Sequence, residues 1–133
     1  MKAWLRSCLL LASILMVGLP VFAHHGNAAF SDKLTEFKNV TVTKFAWANP
    51  HCLVEFDVKD ANGKVTNWNF ELGGPLQLNR LGWKRDAVKV GDQVTVQGYL
   101  AKDGAKMANA RNVVFADGRK IFAGSSGDGG PPQ

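Results

Sequence analysis

From Phe37 to Phe122 apolar and polar residues repeatedly alternate with a period of two, the mark of strands that bury one face. The cleanest stretch is His51–Lys59. There Cys52, Val54, Phe56 and Val58 share one face, and Glu55, Asp57 and Lys59 the other. Asp60-Ala61-Asn62-Gly63 follows as a hairpin turn, with Asn-Gly suited to the positive φ angles such turns need. Val65–Leu72 is a further strand, with Trp68, Phe70 and Leu72 inward and Asn67, Asn69 and Glu71 outward. Upstream, Phe37–Trp47 is the first strand. Val40 and Val42 share a phase, while Phe45 and Trp47 take the opposite one. A flip of parity inside one strand predicts a bulge, and small closed barrels need such bends. Ala48-Asn49-Pro50 separates the first two strands as a turn, because proline removes a ladder donor and restricts the residue before it.

Gly73-Gly74 ends the third strand, and Pro75–Leu81 reads as a short helix with Pro in its first turn and Gly82 just past its end. The fourth strand is Gln93–Leu100, with Val94, Val96 and Leu100 in phase. Lys102–Lys106 is a polar loop, Ala108–Phe115 the fifth strand, and Lys120–Phe122 a short last strand after an Asp117-Gly118 turn. Three strands, a helix, then two or three strands joined by tight turns predict an all-β domain with one short helix. The best match is a small antiparallel barrel of five to six strands, like the oligonucleotide/oligosaccharide-binding (OB) type. A small β-sandwich is the alternative. The barrel domain is expected over residues 37–123, after an extended or irregular lead-in at 24–36 and before a disordered Gly/Ser/Pro tail at 124–133.

The first 23 residues change this picture. Lys2 and Arg6 open the chain without an acid, Ser7–Leu19 is uncharged and mostly apolar, and Val21-Phe22-Ala23 follows Pro20. That order is a secretory signal, too short for the ~20 apolar residues of a membrane span. Cleavage at Ala23-His24 predicts a periplasmic or secreted protein with no stable membrane span. It lowers the formal net charge from +5 to +3 by removing two bases and no acid, and it leaves Cys52 as the one cysteine. An internal disulfide is thereby excluded, and the phase of Cys52 makes it a small buried hydrophobe. So small a positive charge does not call for nucleic acid.

A set of motifs recurs in this order in a known group. They are Ala23-His24-His25-Gly26, Asn49-Pro50-His51, Asp60 to Trp68, Phe70-Glu71-Leu72-Gly73, Gly82-Trp83-Lys84-Arg85-Asp86, Gly91 to Gly98 and Ala101-Lys102-Asp103-Gly104. Across nearly all of the mature chain, the sequence resembles a family of small exported bacterial proteins classed as a domain of unknown function. The resemblance implies export and an OB-like barrel, and it carries over no catalytic residue. Members often have Ser-Phe after the paired histidines, where this chain has Gly26-Asn27.

Chemistry has three candidate places. Cleavage after Ala23 would make His24 the N-terminal residue, so its α-amine and imidazole would chelate one ion. His51, with help from His25, would complete a nitrogen-rich site of the kind Cu(II) favours. A 13-residue lead-in spans roughly 40 Å when extended, so reach is not limiting. Plainer roles are a soluble start for the pair and a turn-capping bond for His51. Cys52 as a soft Cu(I) ligand is disfavoured by its inward phase. The second place is the OB ligand face, bordered by the loops that hold Asn49, Lys102 and Lys106, with Tyr99, Asn67, Asn69 and Gln97 pointing outward. Most aromatics are in core phase, which argues against single-stranded nucleic acid and for a small ligand or a periplasmic protein partner. The third is a basic patch of Arg80, Lys84 and Arg85 around Trp83, suited to phosphate or a carboxylate; the plainer reading is a packed tryptophan under solvated charges. No nucleophile elbow, phosphate loop or Cys-x-x-Cys pair is present, so no enzyme is expected.

Overall fold

A computed structural model describes residues 29–124. Six strands and one helix follow in the order β1 (Phe30–Ala46), β2 (Leu53–Lys59), β3 (Val65–Glu71), α1 (Pro75–Arg80), β4 (Gln93–Ala101), β5 (Met107–Phe115) and β6 (Lys120–Phe122). They form one sheet in the order β3-β2-β1-β4-β5-β6, and a further pairing of β3 with β5 closes it on itself. That closure is parallel and short, joining Asn69, Phe70 and Glu71 to Met107, Ala108 and Asn109. All other pairings are antiparallel. A meander of three strands, a helix, and a returning hairpin whose second strand meets the third is the OB-like arrangement expected from the sequence.

β1 is the seam of the ring. Its first half pairs with β4 and its second with β2, and Thr41 faces both Gln93 and Asp57. The strand starts at Phe30, seven residues before the expected start at Phe37, so part of the lead-in expected to be extended or irregular belongs to β1. The reason for the difference is a register irregularity between Phe30 and Leu34, which destroys the period-two pattern that would have announced the strand. A second shift lies between Phe37 and Val40, where Asn39 takes a positive φ of 50°. A third, between Val42 and Lys44, is the bulge predicted from the parity flip. With these shifts Phe37, Val40, Val42 and Phe45 all reach the core from one strand.

The phases read for β2 and β3 hold: Cys52, Val54, Phe56, Phe70 and Leu72 are buried and Trp68 nearly so. Phe56 and Phe70 meet edge to face with centroids 4.9 Å apart, and Phe37 lies 4.9 Å from Trp68. In the β4 row Val94 and Val96 point inward, and the next inward slot is Gly98. A Cβ there would sit 2.7 Å from the Phe70 ring and 2.5 Å from the Asn109 carbonyl, so the ring takes the space a side chain would need. Asp60 shapes the β2–β3 hairpin, its carboxylate accepting the amides of Asn62 and Lys64 at 2.9 Å.

Helix α1 sends Leu78 into the core, and Trp83 follows it, fully buried. The indole nitrogen donates to the Phe122 carbonyl at 2.8 Å, and its rings lie near Phe45 and Phe115. The chain after β6 stays packed through Gly124, which is buried and whose carbonyl accepts from Gln77 at 3.4 Å. The tail expected from residue 124 therefore begins no earlier than residue 125. The expected signal segment, His24, His25 and residues 125–133 lie outside the described residues. Among the described residues no helix is long and apolar enough to cross a membrane.

Candidate functional site at the β1–β2 loop

Residues Trp47–Cys52 link β1 to β2 through a cis Asn49–Pro50 bond. Cys52 gives its amide to the Gly73 carbonyl at 3.1 Å and takes the amide of Leu72 at 2.8 Å, so the loop is tied to the end of β3. It also touches the start of the helix: a Cβ on Gly74 would lie 2.7 Å from the Pro50 carbonyl oxygen, and only glycine permits that approach. Those two bonds continue the β2–β3 ladder, although β2 itself starts at Leu53, two residues later than the pattern suggests.

His51 is held by this anchoring. Its Nδ1 is 3.1 Å from the Leu72 carbonyl oxygen. A carbonyl only accepts, so Nδ1 carries the proton, and in the neutral ring Nε2 keeps its lone pair. Nε2 points to Glu71, 3.5 Å from Oε1. The His51 side chain is 40% exposed and that of Glu71 29%, so the pair lies at the surface within reach of solutes. Neighbouring Cys52 turns the other way. Its thiol is buried, with Sγ 3.9 Å from the Ala48 carbonyl, and burial pushes its pKa up against the smaller opposing effects of the Ala48 backbone and of Arg85. The inward phase of Cys52 thus holds, and its sulfur does not share the His51 face.

The β4–β5 loop meets the same strand. The Lys106 carbonyl accepts the Asn69 amide at 3.0 Å, and its ammonium lies 5.1 Å from the centre of the Trp68 ring. Lys102 is tied to the start of the described chain, giving its amide to the Ala29 carbonyl at 3.0 Å. Both lysines are exposed, as is Asn49. The two loops of the expected ligand face are thus fastened to β3 between Asn69 and Gly73. Tyr99 is half-buried on the outer side of β4, opposite Leu34 in β1 and Asn109 in β5. One strand, β5, separates it from Glu71.

Arg80, Lys84 and Arg85 are exposed around α1 and the segment after it. The charge of Arg85 weakly opposes the upward shift of the Cys52 thiol. Trp83 itself is packed, so the patch presents charge without an accessible ring.

The outer face of β2 and β3 is acidic and amide-rich. Glu55 faces Asn69 and Asp57 faces Asn67 across the ladder. Lys44 bridges Glu55 at 3.0 Å, and Asn67 donates to Asp57 at 2.8 Å and Thr43 at 3.2 Å. Asn69 Oδ1 is buried without a hydrogen-bond partner, a cost of about 1–3 kcal/mol unless a ligand or water supplies a donor. Gln97, on β4, is satisfied: it donates to Glu36 at 2.5 Å and accepts from Asn112 at 2.9 Å. The Gln97 bond holds the exposed Glu36 carboxyl below its ordinary range.

Glu71 escaped the sequence reading. Its outward phase was legible, but its neighbour His51 lies 20 positions earlier, and only the register of β2 against β3 joins them. Among the described residues no cluster of three or more His, Cys, Asp or Glu side chains is placed to hold a metal. His24 and His25 lie outside those residues, so the expected copper site is represented here by His51 alone.

Comparison with known proteins adds a structural likeness and a family. The crystal structure of Rim1, the mitochondrial single-stranded DNA binding protein of S. cerevisiae, is similar to this chain, with 15% identity and a TM-score of 0.48. The match covers 65% of this chain and 94% of that one. No curated protein matches. A family model spans residues 12–110, and the chain belongs to that family, the family of unknown function DUF6152.

Proposed function

We propose that the protein is an exported, non-catalytic binding or accessory module that takes its ligand where the β1–β2 loop meets β3. One observation carries this reading. Both loops that border the expected OB ligand face are hydrogen-bonded to the end of β3, the β4–β5 loop at Asn69 and the β1–β2 loop at Leu72 and Gly73, and His51 meets Glu71 there at 3.5 Å. The unsatisfied Asn69 Oδ1 on the same strand supports a ligand that brings a hydrogen-bond donor. Charge favours a small polar or cationic ligand, or a partner protein with matching groups. Glu55, Asp57 and Glu71 on the outer face oppose a phosphate chain, and no aromatic on that face offers a stacking platform. Amide-resolved NMR titration with a panel of small polar and cationic compounds tests this. Shifts confined to Asn49–Cys52, Asn69–Gly73 and Lys106 are expected. Shifts confined to the Arg80–Lys89 segment would transfer the site to the basic patch.

A second reading has its own support. Copper bound by the amine and imidazole of His24 with His51, and His25 assisting, fits the fixed tautomer of His51. Metal-binding histidines commonly donate their second ring nitrogen to a carbonyl, and here Nδ1 does so, leaving Nε2 outward. Cu(II) titration of protein verified by mass to begin at His24, followed by electron paramagnetic resonance, tests it. One tight equivalent with a nitrogen-rich signal, lost in His51→Ala, is expected. Loose binding unaffected by that change removes the copper reading.

A further inference from the structure

We propose that Glu71 is a second metal donor paired with His51, the two side chains forming a clasp for a borderline divalent ion of the copper or zinc type. This rests on the metal reading of His51 and adds a residue that reading lacks.

The geometry of the pair carries the inference. Nε2 and Oε1 are 3.5 Å apart. A charge-assisted hydrogen bond draws nitrogen and oxygen to about 2.7–2.9 Å, so the two atoms are poorly placed to satisfy each other. Two donors that each lie about 2.1 Å from one ion at a tetrahedral angle are about 3.4 Å apart. The separation of 3.5 Å, also within ion-pair range, matches that of two ligands sharing one ion. A neutral imidazole also turns its lone pair towards the carboxylate, and the two acceptors repel unless a cation or a proton stands between them.

The surroundings meet the other demands of such a site. The ring is oriented from behind by the Leu72 carbonyl at 3.1 Å, the outer-shell contact that fixes a metal-binding histidine. His51 is held by the two backbone bonds of Cys52, and Glu71 by its place in the ladder opposite Leu53. Both donors therefore stand on anchored backbone, which lowers the ordering cost of binding. Asn109 of β5 stands opposite Glu71 in the parallel register. An imidazole with a carboxylate suits zinc and Cu(II) better than a hard ion, which prefers oxygen alone. Two donors leave coordination positions open to water or to further ligands.

The test is calorimetric titration of the full mature chain with Cu(II), and separately with Zn(II), in the parent, Glu71→Gln, His51→Ala and the double variant. Far-ultraviolet circular dichroism and metal-free melting confirm that each is folded. Glu71→Asp is the second carboxyl variant, keeping the charge on a shorter arm. Glu71→Gln is expected to weaken binding at least 10-fold, with Glu71→Asp between it and the parent. His51→Ala is expected to abolish the site, and the double variant to bind no worse than His51→Ala, because donors to one ion are not additive. Parent-like binding by Glu71→Gln alongside loss in His51→Ala overturns the clasp and leaves the copper reading standing. Parent-like binding by both variants overturns both.

Discussion

Replacing Gly98 by alanine tests the packing logic of the ring. The added Cβ would stand 2.5 Å from the Asn109 carbonyl oxygen and 2.7 Å from Cε2 of Phe70. Non-bonded carbons settle at about 3.5–4.0 Å, so the misfit is about 1 Å. Neither neighbour yields easily. Asn109 O belongs to backbone between two strands, and the Phe70 ring is buried against Phe37 and Phe56. Overpacking costs about 1–3 kcal/mol, and a backbone contact puts this site at the upper end. Stiffening of the unfolded chain by alanine returns about 0.4–1 kcal/mol. The net expectation is a loss of about 2 kcal/mol, or roughly 10–15 °C in Tm for a domain of this size. Urea unfolding should show a lower midpoint with an unchanged slope. Phe70→Leu removes the ring edge, so combined with Gly98→Ala it should cost less than the sum of the two by more than about 0.5 kcal/mol. A single Gly98→Ala variant within about 0.5 kcal/mol of the parent would refute the reasoning, because that is the range of an ordinary surface change.

Further expectations follow from other contacts. Trp83→Phe removes the bond to the Phe122 carbonyl and part of the buried ring. It should destabilise by about 1–3 kcal/mol in the same urea assay, from the unmade bond alone. Native Cys52 should resist alkylation at neutral pH and react only on unfolding, because burial raises its pKa and shields it. The same shift has a pH consequence. A group whose folded pKa is raised contributes stability that is complete below its unfolded value and lost as pH climbs through the folded value. Alkaline urea titrations should therefore show a stability loss above the ordinary thiol range that Cys52→Ala lacks. Asp117 shifts the other way, held low chiefly by its hydrogen bond from the Arg119 side chain. Its contribution is present above the ordinary carboxyl range and fades as pH falls through the lowered value. Being fully exposed, its midpoint by NMR should rise with added salt, and in Arg119→Ala.

Much of the fold was readable because the core strands alternate without interruption. Cys52 to Val58 and Trp68 to Leu72 show their buried face directly in the sequence. The first third of β1 was not readable. Phe30, Leu34 and Phe37 are spaced by four and three, and the register irregularity that reconciles this spacing with a strand is set by pairing with β4. For the candidate site, the sequence supplied His51 and the two loops. It could not supply Glu71, Leu72 or the orphaned Asn69 oxygen, because those relations arise from β2–β3 register and from the seating of Lys106. The basic patch was half readable: the burial of Trp83 fits its place after Leu78, but the influence of the Arg85 charge on Cys52 depends on how the α1 segment folds back.

The division of β1 between two partners bears on the order in which the protein can be assembled. Its second half finds β2 after one short loop, so a three-stranded meander can form as soon as β3 is available. Its first half must wait. Glu36 meets Gln97, 61 residues further along the chain, and closing so long a loop is slow. A partly made chain therefore carries a finished meander and an unclaimed half-strand with a bare hydrogen-bonding edge, the kind of surface on which neighbouring chains pair wrongly. Asp32, Lys33, Glu36 and Lys38 are spaced along that half. Charges placed along such an edge can act as gatekeepers, discouraging a second copy from taking the place of β4.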